Sequence, residues 1–385
     1  MRQLLARKHV FPWREGHHFQ LCVDGDEIFS AMLEAIASAQ SFILIEMYLV
    51  SSGSLMSRFI EALQDAAERN INIYLLFDDF GARSLHENDR ESLRRAGIQC
   101  VFYNPLHYGE LRRNLLRDHR KLMVVDGRAA FVGGFGITDE FNQKSAMDRY
   151  WHDVAVQMQG PNVADWVEVF SHNWNYWSKT ELSLTVAAAV TVRSPGSLGR
   201  VACGSYLGAS KIQRDFLKRA PRAKQRIWWM TAYFVPSLRL RHVLRGAARR
   251  GVDVRLLLPG SITDHPAVRF AGRRFYASLL SAGVQIFEYQ PRFLHGKIVM
   301  CDDWVSLGSS NLDRWNLRWN LEGNQEVDDA DFALQMRALF EKDFASSDEC
   351  QFGSWQQRSW YYRWLEWFWG HLDMLQDAVS KWLWR

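Results

Sequence analysis

Apolar positions in this chain recur in two alternating regimes. Short runs dense in Ile, Val, Leu and Phe, such as FILIEMYLV from Phe42, give way to stretches whose apolar residues return at helical spacing. That alternation predicts βαβ units: strands forming a largely parallel sheet, with amphipathic helices packed on its faces.

The pattern occurs twice. Residues 42–77, FILIEMYLVSSGSLMSRFIEALQDAAERNINIYLLF, are echoed by 227–258, IWWMTAYFVPSLRLRHVLRGAARRGVDVRLLL. In each, a strand ends near a tyrosine (Tyr48, Tyr233) and a helix runs to a stop at Asn70 or Gly251 before a second strand begins. LRRAGIQCVFY (93–103) then matches LLSAGVQIFEY (279–289), and DHRKLMVVDGRAAFVGG (118–134) matches LHGKIVMCDDWVSLGSS (294–310). Ordered self-similarity of this kind marks a duplicated unit. The predicted fold is α/β: two similar halves, each a mostly parallel sheet flanked by helices, related by a pseudo-twofold with the active site at their interface. The expected division is a first half over 1–177, a linker over 178–200 containing Ser194-Pro-Gly-Ser197, a second half over 201–347 and a tail over 348–385. One insertion separates the copies. Asn104–Asp118, with Arg112, Arg113 and Arg117, stands where the second copy has only Gln290–Leu294, and it reads equally as a solvated loop or as a contact for an anionic substrate.

Each copy carries His-x-Lys-x4-Asp: His119, Lys121 and Asp126, then His295, Lys297 and Asp302. Residues two apart on a strand point to one face, so each histidine shares a face with its lysine. The aspartate has opposite parity or sits in the following turn, and a supporting role is expected for it, holding loop backbone or pairing with a basic neighbour. Packed about a pseudo-twofold axis, the halves would bring two imidazoles and two ammonium groups to one point. Phosphoryl transfer asks for that set: a nucleophile, an acid/base partner and fixed positive charge. Gly133-Gly134 and Gly308-Ser309-Ser310-Asn311 follow the motifs, placing small residues and donors where backbone must approach a phosphate. Asp153 and Glu322, further on, are candidates to fix a histidine tautomer.

Together these residues resemble the phospholipase D superfamily over about residues 10–345. The wording FILIEMYLV, HRKLMVVDGRAAFVGG, YWHDVAVQMQGP and LHGKIVMCDDWVSLGSSNLD through NLEGN is most similar to the short bacterial cardiolipin synthases. The resemblance implies a two-step transfer through a phosphohistidine, with no metal or cofactor. It implies His119 as nucleophile and His295 as acid and then base, although the near-symmetry of the copies leaves the reverse open. Lys121, Lys297, Asn311 and Ser309 would bind the non-bridging oxygens. For a cardiolipin synthase, one phosphatidylglycerol gives its phosphatidyl group to another and glycerol departs; phospholipase D, phosphatidylserine synthase and metal-independent nuclease activities share the motif. Two departures stand out: Gly136 occupies a place where the family commonly has Asn, and the hairpin Asp302–Gly308 is one residue shorter than Asp126–Gly133.

Composition narrows the partners. With 47 basic and 43 acidic side chains, the net charge of +4 is too small to argue for nucleic acid. Cys22, Cys100, Cys203, Cys301 and Cys350 lack CxxC spacing and are expected as reduced core residues. Met1–Glu15 lacks the apolar core of a signal peptide, and no window is apolar enough to span a bilayer. Of the 17 tryptophans, Trp355, Trp360, Trp364, Trp367, Trp369, Trp382 and Trp384 cluster in the tail. Tyr361, Trp364, Phe368, Leu372, Leu375, Val379 and Trp382 recur at helical steps, with Arg363, Glu366, Asp373, Asp377 and Lys381 interrupting. This predicts an amphipathic helix, either lying in a headgroup region or docked on its own domain or a dimer partner. Arg239, Arg241, Arg245, Arg249, Arg250, Arg269, Arg273 and Arg274 read as solvated helix faces or as contacts for anionic headgroups. The expected partner is a phospholipid membrane containing phosphatidylglycerol, with the protein peripheral on the bacterial inner membrane; no nucleic acid is expected, and a homo-oligomer stays open.

Overall fold

Two sheets carry the chain, and they repeat one strand order. The computed structural model describes residues 10–182, 184, 197–204, 211–312 and 319–382. Strands β1 (Arg14–Glu15), β2 (His18–Val23), β3 (Phe42–Met47), β4 (Asn72–Asp78), β5 (Gln99–Tyr103), β6 (Arg117–Asp118), β7 (Lys121–Val125), β8 (Ala129–Gly133) and β9 (Val154–Gln159) come from the first copy. The second supplies β10 (Leu198–Gly204), β11 (Arg226–Met230), β12 (Asp253–Pro259), β13 (Gln285–Tyr289), β14 (Ile298–Cys301), β15 (Trp304–Gly308), β16 (Asn320–Asp328) and β17 (Ser347–Glu349). The first sheet runs β2-β9-β8-β7-β3-β4-β5. The second runs β10-β16-β15-β14-β11-β12-β13, with β1 added at one edge and β17 at the other. The duplication is thus real at the level of topology.

Strand direction departs from expectation. Along the two strand orders, β3-β4-β5 and β11-β12-β13 are parallel, while the motif strands and their outer neighbours are antiparallel. The sheets are therefore mixed rather than mostly parallel. The reason is local: Asp126-Gly127-Arg128 joins β7 to β8 and Asp302-Asp303 joins β14 to β15, and so short a connection closes only a hairpin, whereas a parallel pair needs a long crossover.

The halves also interlock. β1 leaves the first copy and pairs with β10 in the second sheet. β10 begins inside the predicted linker, of which residues 183 and 185–196 lie outside the described residues. At the other end, β17 pairs with β13 and the Cys350 N–H donates to Ile286 O at 2.8 Å, so the segment just after 347 belongs to the second half. Trp355 is buried against Tyr276.

Helices cover the outer faces because their apolar residues fall on one stripe. In Ser54–Glu68 these are Leu55, Met56, Phe59, Ile60, Leu63 and Ala66, all buried, each large side chain contributing about 1.5–3 kcal/mol. The inner faces share one core with helices Asn162–Trp177 and Ala330–Ala345, built around Trp166, Trp174, Trp228 and Trp319. The five cysteines are free.

The C-terminal helix Trp360–Trp382 inverts the usual arrangement. Its buried contact is polar: Glu366 accepts from Arg358 Nε at 3.2 Å and lies 3.6 Å from Arg273. Trp360, Tyr361, Trp364, Trp367, Phe368 and Leu372 remain exposed. The helix is docked on its own domain with its aromatic face outward; the side chains of Leu375, Val379, Trp382 and their neighbours from 373 onward, with Trp384, lie outside the described residues. Among the described residues no helix is long and apolar enough to cross a membrane.

Candidate active site

The chain approaching each histidine is stitched to the opposite half. β6 pairs with β16, Arg117 opposite Asn320 and Asp118 opposite Leu321, and His119 N–H donates to Leu321 O at 2.9 Å. Reciprocally, His152 N–H donates to Phe293 O at 2.9 Å, and His295 N–H returns a bond to His152 O at 2.7 Å. These bridges set each imidazole against a carboxylate of the other copy. His119 Nδ1 lies 3.0 and 3.1 Å from the Glu322 oxygens, and His295 Nδ1 lies 2.6 Å from Asp153 Oδ2. Asp153 and Glu322 are equivalent by register, since Gly133 faces Ala155 and Gly308 faces Asn324. The dyads cross the interface.

Lys121 and Lys297 share their histidines' faces, as the alternation required, and each Nζ donates 2.5 Å to the carbonyl of its own histidine. Both are buried. Burial, with Lys297 adding to it, lowers Lys121 to about 7, and burial lowers Lys297 to about 8. Burial and the two lysines hold His119 well below its ordinary value; burial and Lys297 bring His295 to about 4. That Lys297 acts on His119 reflects the convergence of the two motifs. Burial opposes ionisation of Asp153, but His295 outweighs it and the carboxyl stays below its usual range, whereas burial lifts Glu322 to about 8. Tyr48 stands edge-on to His119 at 4.8 Å, and Phe141, Trp151 and Phe293 wall in His295 at 5.3, 5.1 and 5.7 Å. Such walls thin the water around charge and strengthen each electrostatic contact.

The small residues after the motifs pack against the carboxylates. A Cβ on Gly134 would stand 2.6 Å from Asp153 Oδ1, and one on Gly133 would stand 2.8 Å from Val154 O. These glycines admit the close approach of Asp153 and the start of β9. Ser309 Oγ donates to Glu322 and accepts from Gly323 N–H at 3.0 Å, so it braces the carboxylate. Asn311 is differently placed: its Oδ1 accepts from Thr231 at 3.1 Å, and its buried Nδ2 has no partner among the described residues. At Gly136, the equivalent position, a Cβ would meet Leu49 O at 2.8 Å, which leaves no room for a matching amide in the first half.

Asp126 and Asp302 sit at the far ends of the motif strands. Asp126 accepts from the N–H groups of Gln40, Ser41 and Phe42 at 2.9, 2.7 and 3.0 Å; Asp302 accepts from those of Lys224, Gln225 and Arg226 at 3.0, 2.9 and 3.1 Å. Both have positive φ, 55° and 53°. They hold loop backbone and touch no reacting group.

A profile described as Cardiolipin synthase, PLD-like domain, matches residues 32–179 and 216–344, the two halves in turn. The chain belongs to this cardiolipin synthase family. It is 35% identical over 337 residues to cardiolipin synthase B of Salmonella typhi, covering 84% of this chain and 80% of that one. It is 34% identical over 349 residues to cardiolipin synthase A of Pseudomonas aeruginosa, covering 90% and 70%. In fold it matches the phosphatidylserine synthase of Haemophilus influenzae, with a TM-score of 0.69, 11% identity and coverage of 97% and 96%.

One feature of this family member escaped the sequence reading. Behind His119 lies a buried charged cluster: Arg117 Nη1 is 3.4 Å from Asp78 Oδ1, Arg120 Nη1 is 3.1 Å from Glu46 Oε1, and Asn173 Nδ2 bonds Glu46 at 2.8 Å and Asp118 at 2.7 Å. The same positions behind His295 carry Pro259, Leu294, Gly296 and Met230. Arg117 and Arg113, whose Nε donates to Asn104 Oδ1 at 3.0 Å, thus brace their own loop; the side chain of Arg112 lies outside the described residues. The signal was present: Asp118 and Arg120 flank the histidine in one copy only.

Proposed function

We propose that the protein is a phosphatidyltransferase that makes cardiolipin from two molecules of phosphatidylglycerol through a phosphohistidine. The observation that carries this reading is the crossed pair of dyads, His119–Glu322 and His295–Asp153, with two lysines between them. With Nδ1–H of His119 donating to Glu322, whose ionised form Lys121 and Lys297 favour against burial, Nε2 has the free lone pair that attacks phosphorus. The phosphorus–oxygen bond to the glycerol headgroup breaks as His295 gives that oxygen a proton. His295 then takes the proton from a glycerol hydroxyl of the second phosphatidylglycerol, whose oxygen attacks phosphorus as the phosphorus–nitrogen bond breaks. Asp153, held ionised 2.6 Å from His295, works against burial and Lys297 to favour the imidazolium that this role requires. Lys121, Lys297 and the free amide of Asn311 supply positive charge and a donor to the non-bridging oxygens, and a bound phosphate anion would restore the full charge of the lysines.

Membrane seating is assigned to the C-terminal helix. Its exposed aromatics would enter the headgroup region while Glu366 ties it to the second half. Incubating the pure protein with phosphatidylglycerol vesicles should yield cardiolipin and glycerol in equal amounts. Phosphatidic acid as the sole lipid product would overturn the transferase reading in favour of a hydrolase.

A further inference from the structure

We propose that His152 is a positioning residue, an imidazolium clamped between the two halves that keeps Asp153 in register with His295. The inference rests on the catalytic reading above. His152 is buried, with Nδ1 2.6 Å from Asp24 Oδ1 of the first half and Nε2 3.1 Å from Asp343 Oδ2 of the second. An imidazole bonded to a carboxylate at both nitrogens carries both protons. Arg292 completes the neutralisation, donating to Asp24 Oδ2 at 2.6 Å, and Tyr289 stacks on the ring at 5.2 Å. Asp24, His152, Asp343 and Arg292 thus balance two negative charges with two positive ones.

The clamp reaches the dyad through backbone. Asp24 Oδ1, the oxygen that His152 holds, also takes the Asp153 N–H at 3.3 Å, and Asp24 N–H donates to Asp153 O at 2.9 Å. The carbonyl of His152 itself accepts from His295 at 2.7 Å and from Gly296 at 3.2 Å. One residue therefore joins the first residue of helix Asp24–Ala37, the main chain of Asp153 and the segment at His295 that leads into β14. Burial opposes the charge on His152, but the two carboxylates outweigh it and raise the group to about 9. The repeat-equivalent position holds Leu321, so the first histidine has no such clamp.

The test uses the full chain with His152→Gln, and with Asp343→Asn as a variant outside the Asp153 segment. Three readouts apply: thermal unfolding, kcat and KM on phosphatidylglycerol in detergent micelles, and the downfield proton resonance of His295 Nδ1–H. Folded His152→Gln should lose about ten- to a hundredfold in kcat, with KM little changed and the His295 resonance moved upfield. Asp343→Asn should move both in the same direction by less. Folded variants with wild-type kcat and an unmoved resonance would overturn the proposal, as would a loss confined to KM. If His152→Gln fails to fold, Asp343→Asn decides. Should the wild type make no cardiolipin, the catalytic reading fails on its own, and the resonance still tests the clamp.

Discussion

Asp153 belongs to the first half of the chain and holds the histidine of the second, its Oδ2 2.6 Å from His295 Nδ1, while Glu322 does the reverse for His119. Neither dyad exists within a single copy.

The two histidines should separate by the step they fail. His119→Ala is expected to abolish both turnover and the covalent phosphatidyl adduct. His295→Ala should slow turnover by at least about a thousandfold yet leave a slowly formed adduct that accumulates, because the second step lacks its base. Intact-mass measurement after mixing with phosphatidylglycerol reads this directly. An adduct on His295 in the His119 variant would reverse the assignment.

Removing a carboxylate should injure the distant histidine. Glu322→Gln is expected to suppress adduct formation at His119, and Asp153→Asn to impair proton transfer by His295, each lowering kcat by about a hundred- to ten-thousandfold. Gly134→Ala should resemble Asp153→Asn, since the new methyl would occupy space 2.6 Å from Asp153 Oδ1. Quench-flow kinetics would separate the two steps.

The aspartates that end the motifs should matter for stability rather than chemistry. Asp126→Ala or Asp302→Ala leaves three backbone N–H groups without their acceptor and is expected to cost about 1–3 kcal/mol. The folded fraction should keep its kcat. Denaturant titration alongside active-site-normalised rates distinguishes this outcome from a catalytic role.

Stability should fall in alkali through His152. Its pKa is raised from 6.5 to about 9 in the fold, so the unfolded chain releases the proton first. The stabilisation is full below about pH 6.5 and disappears as pH rises through about 9. Chemical denaturation at about pH 6 and about pH 10 should show a larger decline for wild type than for His152→Gln.

Changing the exposed aromatics Trp364, Trp367 and Phe368 to Gln should weaken flotation with phosphatidylglycerol vesicles by at least about tenfold without shifting the unfolding temperature. Unchanged flotation would remove the helix from the membrane contact.

Much of this was legible in the sequence. Matched segments around Tyr48 and Tyr233, and around the two HxK triplets, foretold two halves with one strand order, and alternation put each lysine beside its histidine. The parity of Asp126 and Asp302 foretold a turn role. What stayed hidden was long-range. Nothing in local pattern says that Glu322 serves His119 across the interface, because both partners are polar residues far apart in the chain. Strand direction was misjudged because connection length, not hydrophobic pattern, decides it at Asp302-Asp303. That Gly134 stands against Asp153 and that Ser309 donates to Glu322 was equally hidden.

The crossing of the dyads makes the seam itself the working part of the molecule. A break between Trp177 and Leu198 would leave two fragments, each holding an imidazole without its carboxylate and a carboxylate without its imidazole. On the proposed mechanism, either fragment folded alone should be inert toward lipid, and any force that parts the halves should silence both chemical steps at once instead of leaving a half-competent, phospholipid-cleaving remnant loose on the membrane.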